Sequence, residues 1–252
     1  MNQSNTSVVV VIPARLGSSR FPNKPLAPIL GVPMVELVYR NAKAMAGVDT
    51  VAVATCDDAI VELIEAAGGI AVMTSDTHER ASDRTAEAVR HLEERRGANF
   101  DIVLMVQGDE PAISSHQMSK VVDAMREDPA IQVANLFGRI GSEREFTDPN
   151  CIKAVADRSG NAVYFSRLPI PHGADFDDRA TGKQVCAIGF RRDYLMDYLE
   201  MDPTDLEVLE SIDMLRIIQH GGQVRLVPTS EPSQSVDVPD DIPLAEALLR
   251  SR

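Results

Sequence analysis

The 252-residue sequence lacks the features that mark several classes of protein. Its three cysteines, Cys56, Cys151 and Cys186, are scattered without CxxC spacing, so we expect structural thiols in a reducing compartment. No apolar stretch approaches the roughly 20 residues that cross a bilayer. The polar, uncharged N-terminus MNQSNTS lacks the basic start of a secretory signal. We therefore expect a cytoplasmic protein without membrane insertion.

Positive charge is also scarce. The chain has 25 Lys and Arg against 38 Asp and Glu, a formal net charge of -13. A nucleic-acid surface would need a basic face, so we expect no nucleic-acid partner. A local basic cluster could still attract a small anion, because charges act over about 8–10 Å before salt screens them.

Internal repeats, low-complexity tracts and long linkers are absent as well. Apolar residues make up 44% and charged residues 25%, as in ordinary globular proteins. The length suits a single domain over 1–252 with a sizeable core.

The first half alternates between apolar strands and helical patterns. This order predicts βαβ units and a mostly parallel, Rossmann-like sheet flanked by helices. The predicted strands are 8–12, 50–55, 70–74 and 101–107, and the predicted helices are 33–46, 59–69, 82–96 and 115–127.

The pattern changes in the second half. Apolar segments follow one another with short turns, which predicts a mixed or antiparallel extension of the sheet. The strands are expected in 132–137, 151–157, 161–167 and 186–192, then helices at 193–200 and 205–219, a strand at 223–228 and a last helix from about 241.

Three polar segments follow strands of the predicted parallel sheet. They are PARLGSSRFPNKPLA (13–27), SDTHERASDR (75–84) and QGDEP (107–111). In open α/β sheets ligands bind at the carboxyl ends of the strands, so we expect these segments to converge.

The first of these segments is basic, small and free of acids. It matches neither GxxxxGK[ST] nor GxGxxG, and a plain solvated loop would explain it. Its place after the first strand instead favours phosphate binding, by backbone N–H groups and by Arg15 and Lys24.

Acidic residues form a second candidate feature. Asp109 and Glu110 are either turn-forming acids or hard oxygen ligands, and Asp237 follows the last strand. We hypothesise that Asp109 and Asp237, each ending an inner strand, clamp Mg²⁺, which favours one or two carboxylates plus substrate phosphates. Together with the basic loop, they indicate nucleotidyl transfer, which needs positioning and electrostatics more than a covalent nucleophile.

Several motifs between about residues 8 and 245 together resemble those of a known family. PARLGSSRFPNKPLAPILGVPM, MTSDTH, VQGDEP, FTDPNCIKAV, YFSRLPIP and SVDVPDDI resemble the 3-deoxy-manno-octulosonate (Kdo) cytidylyltransferases. The resemblance implies a GT-A-like fold, a homodimer, and transfer of CMP from CTP to an acidic sugar with Mg²⁺ and release of pyrophosphate. It also implies a nucleotide-binding half, about 1–130, and an acceptor-binding and dimerisation half, about 131–235.

The resemblance also assigns residues to roles. Arg15, Lys24 and Asp109 would be catalytic, and Asp109 and Asp237 would hold the metal. The nucleotide-binding residues would be Arg15, Ser18, Ser19, Lys24, Ser82, Arg84 and Gln107. The acceptor-binding residues would be Gln107, Arg167, Gln184, Ile188 and Asp213.

The sequence departs from the family pattern chiefly on the acceptor side. On the nucleotide side Arg80 and Ala81 replace serine and glycine, which is compatible with cytidine binding and places the added guanidinium against phosphate or solvent. On the acceptor side Gln184 and Ile188 replace histidine and tyrosine, and Asp213 and Met214 replace glutamate and glutamine. A site built for hydroxyl groups discriminates through hydrogen bonds, so these changes leave the acceptor open. Kdo, amino-Kdo, another 2-keto acid or a phosphonate would satisfy the pattern, and a non-catalytic nucleotide-binding relative is the hypothesis from another class.

Overall fold

The structure is a computed structural model that describes residues 6–17, 21–178 and 180–252. Within these residues the strands are β1 (Val8–Pro13), β2 (Pro28–Ile29), β3 (Val32–Pro33), β4 (Thr50–Thr55), β5 (Ala71–Met73), β6 (Ile102–Val106), β7 (Val133–Gly138), β8 (Lys153–Ala156), β9 (Ala162–Ser166), β10 (Thr181–Arg191) and β11 (Arg225–Thr229). The α-helices are α1 (Met34–Lys43), α2 (Asp58–Ala66), α3 (Ala81–Arg96), α4 (Ser115–Glu127), α5 (Glu143–Thr147), α6 (Arg192–Leu199), α7 (Asp205–Glu210), α8 (Met214–Gln219) and α9 (Ile242–Arg250). Short 3₁₀ helices cover Lys24–Leu26 and Pro239–Asp241.

One mixed sheet organises the described chain, in the order β11-β7-β10-β6-β1-β4-β5. Strand β1 pairs in parallel with β4 and β6, and β4 pairs in parallel with β5. Strand β10 runs antiparallel to both β6 and β7, and β8 and β9 extend the sheet from β10. The predicted fold class, a mostly parallel sheet with an antiparallel extension, is confirmed.

Strand β1 shows why the apolar run is buried on both faces. Val8, Val10 and Ile12 belong to a core cluster with residues of α1 and α4. Val9 and Val11 belong to a second cluster with residues of α3 on the opposite face. Alternate side chains of a strand point to opposite faces, so a central strand covered by helices has to be apolar throughout.

The predicted helix over 205–219 is wrong, because the structure has two helices there. Ser211, between α7 and α8, adopts φ 54°, a left-handed conformation that ends α7. The buried pair of Glu207 and Arg216 joins the two helices through hydrogen bonds of 2.7 Å from Nε and Nη2. The break places the 211–214 segment, including Asp213, at the edge of a cavity.

Strand β10 begins five residues earlier than predicted and is irregular. Its register with β7 shifts between Gln184 and Ile188, as in a β-bulge. The hairpin of β2 and β3 and the short helix α5 were not predicted, because each is too short to show a hydrophobic period. None of the described helices combines the length and the apolar character that crossing a membrane requires.

Candidate active site

The three polar segments predicted to converge do line one cavity of about 360 Å³, called here the first cavity. Gly108 shows how closely the ends of β1 and β6 approach, because a Cβ added there would lie 3.3 Å from the Pro13 carbonyl oxygen. The loop supplies Arg15, Gly17 and Lys24, the second segment His78 to Ala81 and Arg84, and the third Gln107 to Asp109. Ser18 and Ser19, predicted to bind the nucleotide, lie outside the described residues.

Lys24 contacts both acids that were predicted to bind metal. Its Nζ lies 2.6 Å from Asp109 Oδ2 and 3.8 Å from Asp237 Oδ1. The 3₁₀ turn at Lys24–Leu26 directs the side chain inward, and its exposure is only 14%. Two carboxylates therefore lie within reach of a single cation.

The position of Asp237 differs from the prediction in one respect. It does not end an inner strand: β11 is an edge strand of the sheet and ends at Thr229, eight positions earlier. Instead, the backbone N–H of Val236 donates to the Asp109 carbonyl oxygen at 2.9 Å, and Asp241 accepts from the N–H groups of Asp237 and Val238. These bonds hold the loop beside the end of β6.

Two residues of α3 were predicted to bind the nucleotide, and the structure separates them. Arg84 lines the first cavity, is 3% exposed, and donates from Nη1 to Thr74 Oγ1 at 2.5 Å, while its buried Nη2 has no hydrogen-bond partner among the described residues. Ser82 is fully buried outside the lining of both cavities and donates to Asp213 Oδ2 at 3.0 Å.

A second cavity of about 370 Å³ adjoins the first. The two share Lys24, Glu79, Arg80, Ala81, Gln107 and Asp109 as lining residues. All five predicted acceptor residues, Gln107, Arg167, Gln184, Ile188 and Asp213, line this second cavity. Gln107 thus lies at the boundary between the two spaces, as the sequence suggested, while its role stays a prediction.

The bulged part of β10 presents Gln184 and Ile188 to the second cavity. Gln184 Nε2 donates to Asn135 Oδ1 at 2.5 Å, and Asn135 is itself buried and donates to two carbonyl oxygens. This series of hydrogen bonds fixes the side-chain amide of Gln184. Ile188, only 3% exposed, adds apolar surface to the cavity wall.

Arg167 is held by backbone carbonyl groups. Its Nε, Nη1 and Nη2 donate to the carbonyls of Glu210, Pro149 and Ser211 at 2.5, 2.8 and 3.2 Å. The fully buried Lys153 donates to the Arg167 carbonyl at 2.6 Å and so anchors the same segment. Burial lowers the pKa of Lys153. The guanidinium is thereby fixed in place on the wall of the cavity.

Arg80, which lines both cavities, forms an ion pair with Asp213, which lines the second. Arg80 Nη1 lies 3.3 Å from Asp213 Oδ1, and Arg80 Nε lies 3.8 Å from Glu207 Oε1. Burial raises the pKa of Asp213, while Arg80 and the hydroxyl of Ser82 partly oppose that increase. The sequence predicted that the Arg80 guanidinium touches phosphate or solvent, and its pairing with Asp213 was not predicted.

Glu110 adds a buried carboxyl group beside Asp109. It is 3% exposed, and its Oε1 accepts from the Cys186 N–H at 3.1 Å, while Oε2 has no hydrogen-bond partner in the part of the chain that the structure describes. Burial and the neighbouring charge of Asp109 raise its pKa to about 7.

Lys183 and Glu145 are cavity residues that the sequence did not reveal. Their ion pair lines the second cavity, and Lys183 Nζ also donates to the Ser233 carbonyl at 2.9 Å. Lys183 lies outside the predicted strand over 186–192, and the only indication in the sequence was its place next to Gln184. Among the described residues there is no cluster of three or more His, Cys, Asp or Glu that could hold a metal.

Comparison with known proteins decides the family. The cytidylyltransferase family profile matches residues 9–230. The chain belongs to the cytidylyltransferase family. This cytidylyltransferase is therefore a CTP-dependent nucleotidyltransferase, and the predicted enzyme class and family resemblance are confirmed.

The relatives of this cytidylyltransferase are similar over nearly their full length. A 3-deoxy-manno-octulosonate cytidylyltransferase of Pelobacter propionicus is 38% identical, covering 97% of this chain and 98% of its own. An 8-amino-3,8-dideoxy-manno-octulosonate cytidylyltransferase of Shewanella piezotolerans is 37% identical, covering 96% and 98%. A solved CMP:2-keto-3-deoxy-manno-octonic acid synthetase in complex with CTP is 36% identical with a TM-score of 0.86, covering 98% and 99%.

Proposed function

We propose that this cytidylyltransferase couples CMP from CTP to an acidic sugar of the Kdo type and releases pyrophosphate. One observation carries the proposal: Lys24 Nζ contacts Asp109 and Asp237 where two adjoining cavities meet. The similarity to the CTP-bound synthetase supports CTP as the donor. A reaction between two bound molecules needs two such adjoining spaces, because the reacting atoms have to meet at their boundary.

The first cavity would hold the nucleotide. Arg15 is exposed on its wall and Lys24 lies deeper, so their charges would bind the triphosphate. The buried Arg84 would satisfy its Nη2 on the nucleotide. During transfer, Arg15 and Lys24 would stabilise the charge that develops on the leaving pyrophosphate, since preorganised cations act strongly where water is excluded.

Asp109 and Asp237 would hold Mg²⁺. The ammonium of Lys24 serves as a stand-in cation, and its contacts with both carboxylates support a site for one positive ion between them. Two carboxylates completed by phosphate oxygens are a usual magnesium environment. Bound there, Mg²⁺ would neutralise phosphate charge as a Lewis acid. Lys24 would then turn towards the phosphates.

The second cavity would hold the acceptor. Arg167 and Lys183 supply positive charge for a carboxylate, and Gln184 and Gln107 supply amide groups for hydroxyls. Glu110, next to Asp109 in the chain, also lines the second cavity. The geometry requires no covalent nucleophile, because an acceptor oxygen in the second cavity would attack the α-phosphate directly.

Pyrophosphate release provides the test. The purified protein would be mixed with CTP and Mg²⁺ and with Kdo, amino-Kdo, other 2-keto acids or small phosphonates. Release with Kdo or amino-Kdo supports the proposal. Release with a phosphonate alone would keep the chemistry and reject the sugar, and CTP binding without release for any acceptor would favour the non-catalytic alternative.

We also propose that the protein acts as a homodimer. Val163 and Leu168, around β9, and Val208 and Leu209, on α7, are large apolar residues exposed by 54%, 70%, 62% and 80%. The two segments adjoin, because Glu210 accepts hydrogen bonds from Ser166 Oγ and the Arg167 N–H. A contiguous exposed apolar patch of this kind is typical of an interface between proteins.

A further inference from the structure

Two of the relatives reported above are named for different acceptors, and sequence identity alone does not decide which acceptor this enzyme prefers. At 38% and 37%, this chain is equally similar to an enzyme named for 3-deoxy-manno-octulosonate and to one named for its 8-amino-3,8-dideoxy counterpart. The acceptors differ in charge, because an amino group is protonated near neutral pH and a hydroxyl group is not. The electrostatics of the second cavity can therefore distinguish them. This inference rests on the function proposed above.

Arg80 is the cation best placed to act on that difference. It lines both cavities, and its side chain is 24% exposed. Its contacts are long: Nη1 lies 3.3 Å from Asp213 Oδ1 and 3.3 Å from Ser211 Oγ, and Nε lies 3.8 Å from Glu207 Oε1. By contrast, Arg216 binds Glu207 through two hydrogen bonds of 2.7 Å. The charge of Arg80 is thus only partly neutralised where it faces the cavity.

The acids that line the second cavity offer an ammonium group little. Glu145 is paired with Lys183, Asp109 and Asp237 contact Lys24, and Asp213 is paired with Arg80. The remaining two described lining acids are Glu79, which is exposed and screened by solvent, and Glu110, whose carboxyl is buried. A cationic acceptor would find each interior carboxylate either engaged or buried.

We propose that Arg80 is a specificity-determining residue: by pairing with Asp213 and adding its own charge, it makes the enzyme prefer the hydroxyl acceptor over the amino acceptor. Removing the guanidinium would leave Asp213, whose side chain is 16% exposed and which still accepts from Ser82, without its cationic partner on the cavity wall, where a bound ammonium would neutralise it. A like charge opposes binding, whereas an unpaired buried carboxylate gains most from a cation. The effect is on discrimination between acceptors and not on the donor.

The experiment measures kcat/KM of the wild type for both acceptors at saturating CTP and Mg²⁺, and the ratio of the two values is the readout. The wild type should favour 3-deoxy-manno-octulosonate. Arg80→Ser should shift the ratio towards the amino acceptor by about tenfold, as a charge pair of roughly 1.4 kcal/mol would do. Arg80→Lys keeps the charge and should keep the ratio.

A double variant tests the mechanism. Asp213→Asn combined with Arg80→Ser removes the carboxylate that would receive the ammonium, so it should cancel most of the shift. A general loss of packing would lower both kcat/KM values and leave their ratio unchanged. CTP affinity, measured by calorimetry, reports whether each variant keeps the donor site.

The outcomes separate the two proposals. If the wild type releases pyrophosphate with neither acceptor, the proposed function fails. If it turns over both acceptors but prefers the amino acceptor, or if Arg80→Ser leaves the ratio unchanged, the role of Arg80 is refuted while the proposed function stands. Should Arg80→Ser not fold, Arg80→Gln removes the same charge with a longer polar side chain, and the same shift in the ratio is expected; an unchanged ratio in Arg80→Gln refutes the role of Arg80.

Discussion

Lys24 and Asp109 lie 85 positions apart in the chain, yet Lys24 Nζ is 2.6 Å from Asp109 Oδ2. The lysine follows β1 and the aspartate follows β6, and these strands are parallel neighbours. Their carboxyl ends therefore deliver both side chains to one point. Asp237 reaches the same point from a different loop, 3.8 Å from the lysine.

Asp109→Asn should abolish turnover while the protein stays folded. The amide keeps the shape of the side chain but loses the charge that binds a divalent cation, so we expect kcat to fall by at least about 10²-fold. Pyrophosphate release gives the rate and circular dichroism the fold. Asp123→Asn, an exposed acid on α4, is the matched control and should retain full activity. Undiminished turnover in Asp109→Asn would refute the metal role.

Removal of divalent cations should stop the reaction reversibly. EDTA should eliminate pyrophosphate release, and added Mg²⁺ should restore it, because two carboxylates without a metal would repel the phosphates. Asp237→Asn should need more Mg²⁺ for half-maximal rate, by about tenfold or more. Activity that persists after metal removal would contradict the assignment of both acids.

The raised pKa of Glu110 predicts how the free energy of unfolding of the metal-free protein depends on pH. Its pKa is about 7 in the folded protein, against an ordinary value of 4.5. Below pH 4.5 the carboxyl is protonated in both states; between 4.5 and 7 only the unfolded chain ionises, so stability falls as the pH rises. Above pH 7, this one group lowers the free energy of unfolding by about 3 kcal/mol relative to its value below pH 4.5.

Glu110→Gln should remove that loss, because the amide still accepts from the Cys186 N–H and does not ionise. Urea unfolding in EDTA at pH 5 and pH 8 measures the effect. Relative to the wild type, Glu110→Gln should gain stability between these pH values, whereas Asp123→Asn should show no such gain. Parallel pH profiles for the wild type and Glu110→Gln would contradict the raised pKa.

The exposed patch around Leu168 and Leu209 predicts an assembly that one charge would disrupt. The wild type should elute at twice the chain mass of 27.5 kDa, and Leu209→Glu should elute as a monomer, because a buried unpaired carboxylate is costly at an interface. Light scattering coupled to gel filtration measures the mass. Met73→Glu, on the edge strand β5, is the control and should leave the mass unchanged. A monomeric wild type would refute the dimer.

The parallel half of the fold could be predicted because each element there carries its own period. The run VVVVI has apolar side chains for both faces of a central strand, and the strand order then brings Lys24 and Asp109 together. The break at Ser211 could not be foreseen, because the left-handed residue is a serine and the hydrophobic pattern continues across it. Likewise, the pairing of Arg80 with Asp213 joins positions 133 apart through a loop, where no periodicity exists.

Strand β10 carries a consequence for the evolution of this enzyme. Its backbone pairs with β6 over Ala187–Arg191, with β7 on both sides of the bulge and with β8 at its start, while Gln184 and Ile188 face the second cavity. Backbone hydrogen bonds form with any non-proline residue. Substitutions at Gln184 and Ile188 can therefore accumulate without displacing Asp109 at the end of the neighbouring strand. A lineage can thus inherit one donor chemistry intact and acquire new acceptors by single substitutions along one strand.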